Sequence, residues 1–144
     1  MKVYLDTSVY NRPFDDQTQP RICLETLAFV VVLQMVEAGD VELISSSVVE
    51  YENSRNPFPT RRQGVSGCLK LVTYVQKVDT EIRKRATILE EEGLKAIDAL
   101  HVACAEKAGS EYFLTCDDQL TRRYQGAMSV TNPIEFALRV AGEP

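Results

Sequence analysis

The chain has 144 residues, 44% of them hydrophobic, which is typical of one domain with a single core. Its longest apolar run, residues 27–33, is too short to cross a bilayer, and an acid at position 6 comes too early for a secretory signal. The formal net charge of −5 argues, taken alone, against a nucleic-acid partner.

The first forty-odd residues are predicted to hold a strand, a helix and a second strand. Val3–Leu5 is a short apolar strand that ends at Asp6, and residues 11–16 follow as a loop. Pro20 fits the first turn of a helix whose apolar face spans Ile22–Ala38. Val41–Ile44 is the second strand.

A helical segment is predicted to follow the second strand. Ser45–Ser47 can cap a helix that carries Glu50 and Glu52, and Asn56-Pro57 breaks it. Apolar residues from Val65 to Val75 then recur at intervals of three and four, which predicts another helix.

Strands and helices continue to alternate in the second half of the chain. The predicted elements there are a helix from Asp79 or Thr80 to Glu92, a helix Ile97–Ala108, a strand Tyr112–Leu114, a helix Leu120–Tyr124, a strand Met128–Val130 and a helix Ile134–Val140. The strands are uniformly apolar, which is typical of a parallel sheet covered on both faces. The sequence therefore predicts a three-layer α/β/α fold with four or five parallel strands.

Three aspartates are predicted to meet at one edge of this sheet. Asp6 and Asp117 follow strands, and Asp98 begins an otherwise apolar helix. Ligands of parallel sheets sit outside the carboxyl ends of the strands, and Mg²⁺ prefers oxygen ligands. No G-x-G-x-x-G motif follows the first strand and no P-loop motif occurs, so a dinucleotide or P-loop site is not indicated.

The same acids lie in three short blocks. Leu5–Val9, Ala96–Ala103 and Phe113–Asp118 resemble, in order, the signature blocks of the PIN domain family. The resemblance implies a PIN-like, Rossmann-like topology and a VapC-like ribonuclease of a toxin–antitoxin pair. It also implies Mg²⁺ or Mn²⁺, RNA products with 5′-phosphate and 3′-hydroxyl ends, a homodimer and a VapB-like antitoxin.

The resemblance assigns Asp6, Asp98 and Asp117 as metal-binding and catalytic acids. The fourth family acid is a glutamate on the helix after the second strand, commonly six residues after a serine. Glu52 fits that spacing and is chosen, with Glu50 as the alternative. The two lie about 200° apart on a helix, so only one can face the site.

Four further residues are candidates for supporting roles. Thr115 would orient a water or an acid, and Ser8 stands where the family often has a polar residue. Asp118 is also read as a cap of the next helix. His101 lies one turn after Asp98 and is a proton carrier or, more simply, a hydrogen-bonded core histidine.

Basic residues are concentrated in one part of the chain. Residues 54–85 carry eight basic side chains and two acids, a net charge of +6, which leaves −11 for the rest. A basic segment at about 54–92 within a single domain, residues 1–144, would attract phosphates, although a solvated helical face is the plainer interpretation. Candidates for RNA contacts are Arg12, Arg83, Lys84, Arg85, Arg122 and Arg123.

Two other functions stay open from the sequence. One is a Mg²⁺-dependent phosphatase or phosphoacceptor domain, although Asp6-Thr7-Ser8 lacks the D-x-D pattern after the first strand. The other is a non-catalytic PIN-like module that binds RNA or protein. The four cysteines form no C-x-x-C pair and are expected to be reduced thiols of a cytoplasmic protein.

Overall fold

A sheet of five parallel strands forms the centre of the structure, a computed structural model that describes residues 1–141. The strands are β1 Lys2–Leu5, β2 Glu42–Ser46, β3 Tyr74–Gln76, β4 Tyr112–Leu114 and β5 Ser129–Thr131. Their order across the sheet is β3-β2-β1-β4-β5.

Helices connect the strands and cover the sheet. They are α1 Thr7–Asn11, a 3₁₀ turn Arg12–Phe14, α2 Pro20–Glu37, α3 Ser47–Ser54, α4 Pro59–Leu69, α5 Thr80–Glu91, α6 Ala96–Lys107, α7 Asp118–Arg123 and α8 Pro133–Ala141. This arrangement confirms the predicted α/β/α fold. Among the helices of residues 1–141, none combines the length and apolar character needed to cross a bilayer.

The central strand β1 determines where the acids emerge. Val3, Tyr4 and Leu5 have no exposed surface, as expected for a strand covered on both faces. Leu5 pairs in register with Leu114 of β4, so both strands end at the same level. The Asp6 backbone N–H donates to the Leu114 carbonyl at 3.0 Å. Residues that follow β1 and β4 therefore emerge side by side.

The helix predicted from Val65 to Val75 is wrong beyond Leu69, where α4 ends. The chain turns there, and Tyr74–Gln76 forms the edge strand β3, paired with β2. Val75 is 38% exposed and so does not extend the buried face. The predicted basic segment thus contains β3 as well as α4 and α5.

The residues between Asp6 and the predicted loop at 11–16, for which the sequence made no prediction, form a helix, and the loop itself contains a 3₁₀ turn. Thr7–Asn11 forms α1, which buries Val9 and Tyr10, and the 3₁₀ turn follows directly. Burial of Val9 and Tyr10 accounts for the helix, because both side chains reach the core. This short helix turns the hydroxyls of Thr7 and Ser8 towards acidic side chains.

Several predicted helix boundaries are confirmed by their caps. Ser46 accepts hydrogen bonds from two backbone N–H groups of α3, and Asp79 accepts one from Ile82 of α5 at 2.8 Å. Gly93 follows α5 with φ of +109°, a conformation that side chains with a Cβ rarely adopt. All four cysteines are free thiols, and of these only Cys104 is fully buried.

Candidate metal centre

Asp6 lies where β1 ends, and its carboxylate is held from one side. Its Oδ2 accepts hydrogen bonds from Thr115 Oγ1 at 2.7 Å and from Ser8 Oγ at 3.1 Å. The Cys116 backbone N–H donates to Ser8 Oγ at 3.1 Å, which fixes that hydroxyl in turn. Asp6 Oδ1 lies 3.9 Å from His101 Nε2. One oxygen is therefore engaged by hydroxyls, while the other is available to a ligand.

Glu52 extends from α3 to the same place. Its Oε1 accepts a hydrogen bond from Thr7 Oγ1 at 2.5 Å and a short one from His101 Nε2. Burial raises the pKa of Glu52, but these two hydrogen bonds outweigh it, so the net shift is downward. Glu50, the alternative candidate, is exposed to solvent. The structure thus brings Glu52, and not Glu50, against the first-strand acid.

His101 is buried, with 1% of its surface exposed, and both ring nitrogens have polar partners. Nδ1 lies 2.6 Å from the hydroxyl of Tyr4, and Nε2 faces Glu52. Burial lowers the pKa of His101, yet the hydrogen bond to Glu52 and the nearby charge of Asp6 raise it overall. The side chain is a satisfied core residue and also a direct neighbour of the acids.

Asp98 and Asp117 complete the acidic group. Asp98 lies in the first turn of α6, half-buried, and its pKa is raised to about 6. Burial is the main cause, followed by the negative charges of Asp6 and Asp117, while His101 and Lys95 act in the opposite direction. A carboxyl group whose neighbours disfavour its charge is one that a cation would stabilise.

Asp117 begins α7, and its side chain accepts a hydrogen bond from the Gln119 backbone at 2.9 Å. The capping role predicted for Asp118 therefore belongs to Asp117. Asp118 instead forms a bidentate ion pair with Arg21, with both N–O distances 2.7 Å. This ion pair links α7 to α2. Asp118 is the first residue inside α7 and therefore does not cap it.

The donor set fits a hard divalent cation. One ligand atom each of Asp6, Glu52 and His101 lie within 4.8 Å of one another. Asp98 and Asp117 together line a small adjoining cleft with Lys95 and Arg123. Carboxylates from separate segments that lie close together, one of them with a raised pKa, suit a hard divalent cation such as Mg²⁺ or Mn²⁺.

The basic residues named from the sequence occupy different surroundings. Arg12 donates to Glu25 and Asp15, each at 2.9 Å, and Arg85 pairs with Glu106 at 2.7 Å. Arg83, Lys84, Arg122 and Arg123 are exposed, and Arg123 also donates to the Gly93 carbonyl at 3.2 Å. Their roles in RNA binding stay predictions.

Sequence reasoning missed three hydroxyls that support the acids: Tyr4, Thr7 and Ser46. Thr7 immediately follows Asp6, and a polar residue there was a readable signal. Tyr4 lies in a strand otherwise made of apolar residues, where a buried hydroxyl normally requires a partner. Ser46 was identified only as a cap.

The PIN domain family model matches residues 3–125. Several solved structures resemble the chain. One is VapBC2 from Rickettsia felis bound to a DNA fragment from the VapBC2 promoter, which is 17% identical to this chain with a TM-score of 0.63. The match covers 92% of this chain and 98% of that one.

A protein of Pyrobaculum aerophilum is 16% identical over 99% of this chain and 97% of its own, with a TM-score of 0.58. A toxin–antitoxin complex from Klebsiella pneumoniae is 20% identical over 91% and 97%, also with a TM-score of 0.58. At these identities the likeness establishes a shared fold. No curated protein matches the sequence.

Proposed function

Because this chain belongs to the PIN domain family, we propose that it is a VapC-like, divalent-metal-dependent endoribonuclease. PIN domains are generally nucleases. The observation that carries the proposal is the convergence of acids from separate segments: Asp6 and Glu52 approach within ligand distance, and Asp98 and Asp117 line the adjoining cleft. Burial and the charges of Asp6 and Asp117 also raise the pKa of Asp98 to about 6. Without a bound cation, the repulsion among these acids would only lower the stability of the fold.

Asp6 and Glu52 would hold Mg²⁺ or Mn²⁺, with Asp98 and Asp117 adding negative charge and further ligands. A bound ion of this kind activates water and offsets charge on a phosphodiester. The chain itself supplies orientation, since Thr115 and Ser8 fix Asp6 while Thr7 and His101 fix Glu52. Metal-ligand carboxylates held in this way need little reorganisation when the ion binds.

An apolar groove on the helices that carry Glu52 and Asp98 supports single-stranded or looped RNA as the substrate. It runs between α3, α5 and α6 and is lined by Tyr51, Ile97, Leu100 and Arg83, among others. Tyr51 is 56% exposed, so a base can stack on the face of its ring that Arg55 does not cover. Arg83 can contact a phosphate there.

We also propose a protein partner. The Klebsiella pneumoniae neighbour is a toxin–antitoxin complex, and the Rickettsia felis one is a VapBC complex bound to promoter DNA. Leu24, Leu27 and Val30 of α2 are each more than 40% exposed, which is unusual for three apolar residues on one helix unless another chain covers them. A VapB-like antitoxin and a second copy of the chain are the proposed partners.

The test compares labelled single-stranded RNA with a small phosphate ester, each with Mg²⁺, with Mn²⁺ and with EDTA. Cleavage of RNA alone, abolished by EDTA, is expected. Asp6→Asn and Glu52→Gln should each reduce cleavage by at least about 100-fold, because each removes a negative charge and one oxygen from a proposed metal ligand and not merely from its supports. The exposed Glu50→Gln, on the same helix as Glu52, is the matched control and should retain activity.

Two results would contradict the proposal. Hydrolysis of the phosphate ester in preference to RNA would favour the phosphatase alternative. RNA binding without cleavage, unchanged by Asp6→Asn, would favour the non-catalytic module. Equal losses for Glu50→Gln and Glu52→Gln would refute the assignment of the fourth acid.

A further inference from the structure

We propose that His101 is a positioning residue for Glu52 and not a metal ligand, and that a buried chain of hydroxyls from Ser46 and Tyr4 imposes this role. The inference rests on the proposed metal site and adds the device that prepares it. It concerns residues other than the four acids assigned by family resemblance.

The row of hydrogen bonds from Ser46 through Tyr4 and His101 to Glu52 is continuous and excluded from solvent. Ser46 Oγ lies 2.6 Å from the Tyr4 hydroxyl, which lies 2.6 Å from His101 Nδ1. The opposite ring nitrogen, Nε2, contacts Glu52 Oε1. Ser46 and Tyr4 have no exposed surface and His101 has 1%, so no water competes for these hydrogen bonds.

The direction of the hydrogen bonds follows from the start of α3. Ser46 Oγ accepts from two backbone N–H groups there, at 3.2 and 3.3 Å, which occupies both of its lone pairs. Its own proton is therefore donated to Tyr4, and the Tyr4 hydroxyl donates to Nδ1 of His101. The proton of the neutral ring is then on Nε2, where it is donated to Glu52.

A protonated imidazole would also carry a proton on Nε2, although the Tyr4 hydroxyl would then accept a hydrogen bond from Nδ1 instead of donating one. In either form Nε2 has no free lone pair for a metal ion. Although His101 lies within ligand distance of Asp6 and Glu52, the geometry makes it a donor. A metal-ligand carboxylate oriented by a neighbouring donor is a common supporting arrangement.

Rigid elements hold this chain in place. Tyr4 belongs to the central strand, and its ring stacks on Phe113 of β4 with centroids 5.1 Å apart. The rings of Tyr4 and His101 meet edge to face, with their centroids 5.8 Å apart. His101 and Thr7 both donate to Oε1 of Glu52, which leaves Oε2 for a cation. One carboxylate oxygen is therefore pinned before any ion arrives.

The test measures Mn²⁺ affinity of the full chain by electron paramagnetic resonance, without RNA. Tyr4→Phe removes the hydroxyl that donates to His101 but keeps the stacked ring, and about tenfold weaker Mn²⁺ binding is expected. Tyr10→Phe is the matched control, since Tyr10 is equally buried and its hydroxyl has no hydrogen-bond partner among residues 1–141. It should bind Mn²⁺ like the wild type.

A spectroscopic reading separates positioning from ligation. The spin-echo modulation spectrum of bound Mn²⁺ should lack the coupling of a directly bonded imidazole nitrogen in the wild type. His101→Gln should weaken binding without changing that feature. If this variant does not fold, Tyr4→Phe and the wild-type spectrum still decide the question.

Nitrogen coupling in the wild-type spectrum would overturn the inference, as would equal Mn²⁺ affinity for Tyr4→Phe and Tyr10→Phe. Both results would leave the metal site itself intact. A wild-type protein that bound no Mn²⁺ would instead refute the proposed function, so the two failures are distinguishable.

Discussion

Replacing Asp98 by Asn should stabilise the metal-free protein at neutral pH. The substitution keeps the shape of the side chain and removes its charge. Burial, Asp6 and Asp117 all disfavour that charge, and together they raise the pKa of Asp98 to about 6. The variant therefore relieves a repulsion that the folded wild type must accept whenever no cation is bound.

The size of the effect follows from the shift. The pKa of Asp98 rises from 3.8 to about 6, and a shift of about two pKa units corresponds to about 3 kcal/mol. Solvent screening of this half-buried group reduces the effect to about 1–2 kcal/mol. Because the pKa of Asp98 is higher in the folded state, the folded protein binds more protons between pH 4 and about 6. The contribution of Asp98 to stability is thus favourable at low pH and is lost as the pH rises through that window.

The assay is urea unfolding of wild type and Asp98→Asn in EDTA at several pH values from 4 to 7.5. The difference in free energy of unfolding should be small near pH 4 and should grow in favour of the variant up to about pH 6.5. Glu50→Gln, which removes an exposed carboxylate from α3, is the control for charge removal. Adding Mg²⁺ at ten times its dissociation constant should then stabilise the wild type by about 1.4 kcal/mol.

The reasoning would be refuted if Asp98→Asn were less stable than the wild type at pH 7.5 in EDTA, or if the difference did not change with pH. A loss of a few tenths of a kcal/mol from the helix N-terminus is expected only where Asp98 is charged, above about pH 6. That loss opposes the predicted gain but is smaller than it.

Three further predictions concern other parts of the chain. Glu25→Ala should reduce the free energy of unfolding by about 3 kcal/mol in urea titrations, because it leaves the partners of a fully buried carboxylate unpaired. Gly93→Ala should lower the melting temperature, since φ of +109° opposes a side chain, whereas Gly67→Ala, in an open position of α4, should raise it slightly. Arg83→Glu combined with Lys84→Glu should weaken RNA binding and reduce the slope of its salt dependence by about 0.7 for each phosphate that is no longer neutralised; an unchanged slope would make this surface a solvated face only.

The sequence predicted the elements that are buried and uniformly apolar. β1 and β4 pair at the centre of the sheet, and their short apolar runs are typical of strands covered on both faces. β3 was missed because an edge strand has one open side. Tyr74 and Val75 are 50% and 38% exposed, so this strand lacks the run of buried apolar residues that marks β1 and β4. Val75 therefore fitted the helical spacing of the residues before it.

The acids were predictable because each follows a structural boundary, a strand end or a helix start. Their supporting hydroxyls were not, since their contacts join distant parts of the chain. Tyr4 meets Ser46 and His101 across 42 and 97 residues, and no local pattern encodes such a meeting. Only the pairing of β1 with β2, and the packing of α6 against β2, brings these three together.

The treatment of charge elsewhere in the fold shows that the acidic cluster is not a failure of pairing. Glu25 has no exposed surface, and it receives Arg12 at 2.9 Å as well as a hydrogen bond from Asn132 at 2.5 Å. Asp118, next to Asp117 in the chain, has a bidentate arginine. The chain therefore supplies cations to acids within a few residues of the site.

At the site itself the partners are mainly hydroxyls. Asp6 is held by Thr115 and Ser8, and Asp98 keeps a raised pKa in spite of Lys95 and His101. Hydroxyl donors orient a carboxylate without neutralising it, whereas an arginine would occupy the space of an ion. At one edge of the sheet, acids that are paired with arginines thus lie beside a cluster of acids that has too few positive partners. This arrangement is expected if the missing positive charge comes from a divalent cation that binds from solution.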